Sequence, residues 1–83
     1  MTRQEIQATV LRVLAKIAPE ADLAALPEGA ALREELEIDS MDFLNFAIGL
    51  HDAFGIDIPE ADTERIASLR GCVDYLAARQ GAG

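Results

Sequence analysis

The first apolar positions of the chain recur at helical spacing and follow a pattern that starts helices. Thr2 and Glu5 have the spacing of a capping box, in which each side chain accepts a hydrogen bond from the other residue's backbone N–H. The apolar positions that follow are Ile6, Val10, Val13, Leu14 and Ile17. They predict a first helix from about residue 3 to about residue 18, because Pro19 pushes the residue before it out of the helical conformation.

The next stretch, residues 19–37, is an alanine-rich connection interrupted by Pro27 and Gly29. Loops of this length in compact domains are usually functional or partly structured. We expect apolar side chains to hold the loop across the helices, with a helical turn at residues 32–36. These anchors are Leu23, Leu26, Leu32, Leu36 and Ile38.

A second helix is predicted from about residue 40 to about residue 54, where Gly55 provides a stop. At about 100° per residue, its apolar side chains divide into two stripes. The stripe expected to face the core contains Phe43, Phe46, Ala47, Leu50 and Phe54. A second stripe lies roughly 100–160° round the helix and consists of Met41, Leu44 and Ile48. This second stripe is either an exposed contact surface for a partner or a second buried face, and the pattern favours neither.

The remaining residues predict an extended link, a short helix and a final helix. Pro59 starts the short helix, from about residue 60 to 66, and Ser68 caps the last helix, which ends near Arg79. The apolar stripe of that last helix contains Leu69, Cys72, Val73 and Leu76. The predicted fold class is all-α, with one domain over residues 1–83 and a flexible tail at residues 79–83. Its architecture is a small four-helix bundle with a long loop between helices one and two and a short third helix.

The start of the second helix carries the candidate chemistry. Asp39 or Ser40 can cap this helix, and Asp42 lies in its first turn, where the helix dipole favours negative charge. The unpaired backbone N–H groups at a helix start also suit a phosphate attached to the Ser40 hydroxyl. The alternative is that Ser40 is only a capping residue in a helical interaction module.

The charge balance narrows the class of partner. Fifteen acidic residues against seven basic ones give a net charge of −8. This sign argues against nucleic acid and anionic membranes, whose phosphates attract positive charge, and favours partners with basic surfaces. Arg3 and Glu5 interrupt the first apolar stretch, and no stretch reaches the roughly twenty residues of a membrane span. We therefore expect a cytoplasmic protein.

The residue inventory argues against an enzyme and against a resident metal. His51 is the only histidine, and it lies about 16 Å along the helix from Ser40, too far to act as the base of a serine nucleophile. The acidic residues around Arg33 form a solvated face without a pre-arranged cage of oxygen ligands. The single cysteine, Cys72, excludes an internal disulfide and a cysteine-based zinc site. Its place on an apolar stripe predicts a buried structural thiol.

Two segments resemble the acyl carrier protein family. They are residues 36–42, Leu-Glu-Ile-Asp-Ser-Met-Asp, and residues 54–59, Phe-Gly-Ile-Asp-Ile-Pro. The family also has a short acidic helix and a last helix carrying Tyr-Leu or Tyr-Ile, which match residues 60–66 and the pair Tyr75 and Leu76. The resemblance spans nearly the whole chain.

The resemblance implies a monomeric carrier without catalysis of its own. Ser40 is expected to be esterified with 4'-phosphopantetheine from coenzyme A, and cargo is expected to be held as a thioester on the terminal thiol of that group. Asp39 is expected to help a phosphopantetheinyl transferase hold its magnesium ion during loading. Expected partners are this transferase and the enzymes that load and transfer acyl groups in fatty-acid, polyketide or specialised-lipid biosynthesis. Their basic or apolar docking patches are expected to contact Met41, Leu44, Asn45 and Ile48.

The chain departs from many fatty-acid carriers at two positions. Asn45 and His51 stand where those carriers have glutamates that dock onto basic patches of fatty-acid synthase enzymes. The alternative within the carrier class is an aminoacyl or peptidyl carrier, because Asp-Ser-Met resembles the D-alanyl carriers. The sequence leaves the cargo open.

Overall fold

The computed structural model describes residues 1–81 and contains, within that range, helices and no strand. The α-helices of this range are α1 (Arg3–Ile17), α2 (Leu32–Glu35), α3 (Ser40–Phe54) and α4 (Leu69–Gly81). A first 3-10 helix, Leu23–Ala25, and a second, Glu60–Ile66, lie in the connections. The predicted all-α fold is confirmed. None of the described helices is long and apolar enough to cross a membrane.

The three long helices, α1, α3 and α4, surround one hydrophobic core, with α1 packed against both others. The predicted caps are present. The Glu5 backbone N–H donates to Thr2 Oγ1 at 3.1 Å at the start of α1, and the Gly71 N–H donates to Ser68 Oγ at 3.0 Å at the start of α4. The buried core residues are Ile6, Val10, Leu14, Leu32, Phe46, Leu50, Ile66, Leu69, Cys72, Val73, Tyr75 and Leu76.

Gly49 allows α1 and α3 to pack closely. A Cβ atom at this position would lie 2.7 Å from Cγ1 of Val13, well inside the roughly 3.5–4 Å at which carbon atoms pack. Glycine inside a helix costs about 1 kcal/mol relative to alanine. The close contact between the two helices explains why α3 carries that cost.

The long connection is attached to the core by apolar side chains along its length and by two backbone hydrogen bonds. Leu32, the first residue of α2, is fully buried, and its backbone N–H donates to the Ala67 carbonyl at 2.8 Å. The Arg70 N–H donates to the Glu28 carbonyl at 2.8 Å. The predicted turn at residues 32–36 is therefore α2. Three other predicted anchors pack half-buried against the core, namely Leu23, Leu26 and Leu36.

The predicted short third helix is a 3-10 helix, and one carboxylate joins it to α4. Asp62 Oδ2 accepts hydrogen bonds from the Tyr75 hydroxyl at 2.7 Å and from Arg79 Nη2 at 3.0 Å. The Arg79 guanidinium also lies 4.3 Å from the centroid of the Tyr75 ring, close enough for a cation–π contact. Asp62 thus ties this short helix to α4.

The last helix extends two residues beyond its predicted end near Arg79. We expected α4 to stop near Arg79 and residues 79–83 to form a flexible tail, but the helix continues to Gly81. The physical reason is the pairing of Arg79 with Asp62 and Tyr75, which holds the last turn against the second 3-10 helix. Ala82 and Gly83, the rest of the predicted tail, lie outside the described residues.

A left-handed residue at the end of α2 directs the chain into α3. Glu37 has φ of 52°, a value that glycine adopts at far lower cost than other residues. The Ile38 N–H donates to the Arg33 carbonyl at 3.1 Å, and the Glu37 N–H donates to the Glu34 carbonyl at 3.4 Å. These two bonds form a Schellman motif, the common way to end a helix, usually with glycine at the left-handed position.

The junction predicts that Glu37→Gly stabilises the protein by about 0.5–1 kcal/mol, because relief of left-handed strain exceeds the added entropy of the unfolded chain. Urea denaturation of the two proteins measures the difference. Glu35→Gly is the matched control, since Glu35 is an exposed residue of the same turn and glycine in a helix costs about 1 kcal/mol. A Glu37→Gly protein that is as destabilised as Glu35→Gly would contradict this description of the junction.

Candidate functional site

Ser40 is the first residue of α3, and Asp39 caps the helix in its place. Asp39 has extended backbone angles, and its Oδ1 accepts the Asp42 backbone N–H at 2.8 Å. The sequence left the cap open between Asp39 and Ser40, and the structure assigns it to Asp39. The alternative in which Ser40 serves only as the cap is therefore wrong. Ser40 is solvent-exposed, and its hydroxyl is available for chemistry.

The surroundings of the Ser40 hydroxyl favour a negatively charged substituent. The backbone N–H groups of Ser40 and Met41 have no hydrogen-bond partner among the described residues, so both remain available at the positive end of the α3 dipole. Arg33 Nη2 lies 3.5 Å from Ser40 Oγ, at the long limit of a hydrogen bond. A phosphate on this oxygen would meet donors from both the backbone and a side chain.

Asp39 uses one carboxylate oxygen as the cap and has no hydrogen bond at the other within the described residues. The residue is exposed, so the second oxygen is open to a ligand. Within residues 1–81, no three His, Cys, Asp or Glu side chains come together in a way that could hold a metal ion. A metal bound at Asp39 would therefore need most of its ligands from another molecule.

An open groove of about 940 Å³ lies between α2, α3 and the second 3-10 helix, and Ser40 is part of its wall. Six of its lining residues are half-buried. Five of them are apolar, namely Ile38, Phe43, Ala47, Ile58 and Ala67, and the sixth is Thr63. The charged lining residues are all exposed, and they are Arg33, Glu34, Glu60 and Glu64. The groove thus offers an apolar floor next to a hydroxyl.

The two stripes of α3 are placed differently. The first faces the core as predicted, with Phe46 and Leu50 fully buried and Phe43, Ala47 and Phe54 half-buried against them. The second stripe is exposed: Met41 retains 65%, Leu44 53% and Ile48 50% of its accessible surface. Of the two alternatives left open by the sequence, the second buried face is therefore wrong, and α3 presents three large apolar side chains to solvent.

Asn45 and His51 lie exposed on the same helix as this stripe. His51 Nδ1 lies 3.0 Å from the Ile56 carbonyl and 3.4 Å from Asp57 Oδ1. These contacts hold the imidazole at the C-terminal end of α3, at the opposite end of the helix from Ser40. The structure therefore does not bring the only histidine to the candidate site.

Cys72 is fully buried on α4, as predicted, and its Sγ donates to the Ile66 carbonyl at 3.3 Å. Burial raises the pKa of the Cys72 thiol to about 12, so this thiol stays protonated and unreactive at neutral pH. Any thiol that reacts in the folded protein would have to come from a bound group.

Sequence reasoning missed the place of Arg33. The sequence pattern assigns this residue to a solvated face together with Glu34, Glu35 and Glu37. Its proximity to Ser40 depends on the Schellman turn at Glu37, which turns the chain between the two residues. The glutamate at the left-handed position gives no local signal of that turn, so the sequence alone could not reveal the pair.

Comparison with known proteins agrees with this geometry. Residues 4–76 match the protein family described as "Phosphopantetheine attachment site". The chain is 34% identical over 82 residues to an acyl carrier protein of Rubrobacter xylanophilus, covering 99% of this chain and 100% of that protein. It is 32% identical over 62 residues to an acyl carrier protein of Lactobacillus acidophilus, covering 75% of this chain and 78% of that protein. The chain therefore belongs to the acyl carrier protein family, whose members are carriers rather than enzymes and use a 4'-phosphopantetheine prosthetic group.

Proposed function

We propose that this protein carries acyl intermediates as thioesters on a 4'-phosphopantetheine group attached to Ser40, in fatty-acid, polyketide or specialised-lipid biosynthesis. The observation that carries the proposal is that capping and attachment fall on different residues at the start of α3. Asp39 caps the helix, so the Ser40 hydroxyl is exposed and not needed to hold the fold together. Esterifying the Ser40 hydroxyl therefore leaves the helix cap in place.

The residues present fit this group. Ser40 Oγ is accessible, and the two free N–H groups of the first turn can receive phosphate oxygens. When bound, the group supplies the terminal thiol on which an acyl group is held. During loading, Ser40 Oγ bonds to the phosphorus nearest the pantetheine arm of coenzyme A, and the bond from that phosphorus to the bridging oxygen breaks. Adenosine 3',5'-bisphosphate leaves, and the hydroxyl proton passes to a base of the transferase.

Asp39 is proposed as a metal ligand during loading. Its free carboxylate oxygen, next to the attacking hydroxyl, suits a magnesium ion that also binds the transferase and the coenzyme A phosphates. The other oxygen remains the helix cap, so this residue serves the fold and the reaction at once.

The groove beside Ser40 supports an acyl cargo over an aminoacyl one. Its half-buried side chains Phe43, Ala47 and Ile58 provide aliphatic and aromatic contacts, which favour burial of a hydrocarbon chain by about 0.8 kcal/mol for each CH₂ group. An aminoacyl thioester would gain less, because its ammonium group would meet only the exposed carboxylates of Glu34, Glu60 and Glu64, and exposed ion pairs contribute little. The alternative cargo, including D-alanyl, is distinguished by the mass of the thioester.

The exposed stripe, Met41, Leu44 and Ile48, with Asn45 beside it, is proposed as the docking surface for the transferase and for acyl-transferring enzymes. These side chains follow Ser40 on one helix, so an enzyme bound there is positioned next to the arm. A smaller groove of about 420 Å³ continues the apolar surface from Leu44 and Ile48 to Pro59. With Asn45 and His51 in place of the glutamates of many fatty-acid carriers, docking should depend on apolar contact more than on ion pairs, and therefore less on salt.

We also propose that the protein acts as a monomer in the cytoplasm. A reducing compartment keeps the thiol of the arm free for thioester formation. The net charge of −8 disfavours self-association through mutual repulsion.

Loading is predicted to add one phosphopantetheinyl group to Ser40 on incubation with coenzyme A, magnesium and a broad-specificity phosphopantetheinyl transferase. Intact mass measures the gain, and a thiol reagent on the folded protein provides a second readout. Because Cys72 is buried, reactive thiols should rise from none to one on loading. Ser40→Ala should remain folded and gain neither mass nor a reactive thiol. Modification of Ser40→Ala, or no modification when a known carrier is loaded in parallel, would refute the assignment.

The role of Asp39 is tested by Asp39→Asn, which retains an oxygen acceptor for the helix cap but removes the charge that binds magnesium. We expect the free energy of unfolding to change by less than about 0.5 kcal/mol, since Asn and Asp are equivalent caps. The loading rate should fall at least tenfold and recover in part at high magnesium concentration. Asp39→Ala is the comparison, since it should lose about 1 kcal/mol of stability as well. An unchanged loading rate for Asp39→Asn would exclude the metal role.

The docking surface predicts that Leu44→Ser and Ile48→Ser weaken partner binding with little effect on folding. Exposed substitutions usually change the free energy of unfolding by less than about 0.5 kcal/mol, whereas losing an apolar anchor can cost about 2 kcal/mol or more of binding. Loading kinetics by the transferase at low and high salt and urea denaturation measure the two effects. Ala15→Ser, on the exposed face of α1, is the control. Normal kinetics per folded molecule in both variants would show that the stripe does not dock this enzyme.

A further inference from the structure

We propose that Arg33 is a positioning residue that binds the phosphate of the group on Ser40 and so fixes the direction in which the arm leaves the protein. This inference rests on the proposed attachment at Ser40. The direct observation is the side-chain contact in the unmodified protein, where Arg33 Nη2 points at Ser40 Oγ from 3.5 Å. A phosphate would be bonded to that same oxygen.

The backbone of Arg33 is held firmly enough to position a ligand. Arg33 follows Leu32, which is fully buried and whose N–H is bound to the Ala67 carbonyl. On its other side, the Schellman motif uses the Arg33 carbonyl itself, which accepts the Ile38 N–H at 3.1 Å. The backbone of Arg33 is therefore held on both sides, although its guanidinium is exposed.

Arg33 has acidic neighbours in the sequence but pairs with none of them, so its positive charge is available to a ligand. Three glutamates lie within four residues, at positions 34, 35 and 37, yet Arg33 forms no ion pair with any residue in the described range. It is also the only basic residue among the described residues that line the groove beside Ser40. A neutral hydroxyl gains little from a guanidinium, whereas a phosphate forms charge-assisted hydrogen bonds with it that are about twice as strong as neutral ones.

A phosphodiester at Ser40 would also lie near several carboxylates, which the N–H groups at the helix start must counter. Asp39 and Asp42 flank the serine in sequence, and Glu34 lines the same groove. Arg33 offsets this repulsion at the point of attachment. Its fork-shaped guanidinium, held on α2, restricts the phosphate to one side of the α3 N-terminus, the side of the apolar groove.

The experiment compares unmodified and phosphopantetheinylated forms of the unmutated protein and of Arg33→Gln. Arg12→Gln is the matched control, because Arg12 is exposed on α1, does not line the groove and carries the same charge. Each protein is loaded to completion, as judged by intact mass, before thermal unfolding and phosphorus NMR of the phosphodiester are recorded. If Arg33→Gln cannot be loaded fully, Arg33→Lys replaces it, with a smaller change expected in the same direction.

We expect the difference in Tm between loaded and unloaded protein to fall by about 3–6 °C in Arg33→Gln relative to the unmutated chain, with no fall in Arg12→Gln. The phosphorus resonance should shift in Arg33→Gln alone, and the Tm effect should shrink at high salt. Equal Tm differences in both variants, with an unmoved phosphorus resonance, would overturn the role of Arg33. Failure of the unmutated protein to load would instead refute the attachment at Ser40, so the two claims fail separately.

Discussion

The hydrogen bond from the Asp42 N–H to Asp39 Oδ1, 2.8 Å long, determines where α3 begins. Because the Asp39 carboxylate caps this helix end, the hydroxyl of the next residue, Ser40, is not needed as the cap. The arrangement separates two roles that serine often combines, since Ser and Asp are both favoured caps. A modification that would disrupt a capping serine can therefore take place at Ser40 with the helix intact.

The same helix then meets two demands through its two stripes. Phe46 and Leu50 are fully buried and hold α3 against the core, whereas Leu44 and Ile48 remain half exposed. Gly49, between Ile48 and Leu50, lets α1 approach until Val13 fills the space where a methyl group would stand. One helix thus presents Ser40 at its start and an exposed apolar stripe along its surface.

Much of this arrangement follows from local rules and could be predicted from the sequence. The capping box of Thr2 and Glu5 and the stop at Gly55 depend on residues within one turn of each other, and the bounds of α1 and α3 were predicted closely. The assignment of the cap to Asp39 and the exposure of Leu44 could not be predicted, because both depend on how the preceding loop meets the helix. Local patterns favoured either outcome in each case.

The missed features depend on contacts that the local sequence pattern does not reveal. Tyr75 is buried because its hydroxyl finds Asp62, thirteen residues earlier. The helix α4 continues beyond Arg79 because that side chain also pairs with Asp62, and no property of the sequence from 79 onward indicates it. Arg33 reaches Ser40 only because Glu37 adopts a left-handed conformation without being glycine. The first two cases depend on a tertiary contact with Asp62, and the third depends on a local turn that Glu37 does not signal.

The central claim is that Ser40 bears the arm and that the arm bears an acyl group. The most direct measurement is peptide mass spectrometry of the protein purified under thiol-protecting conditions from the cells that produce it. The account predicts that the peptide containing Ser40 carries phosphopantetheine, and that a fraction of it carries an additional acyl mass that hydroxylamine releases. An unmodified Ser40 peptide in cells whose other carriers are loaded, or an arm on any other residue, would contradict it.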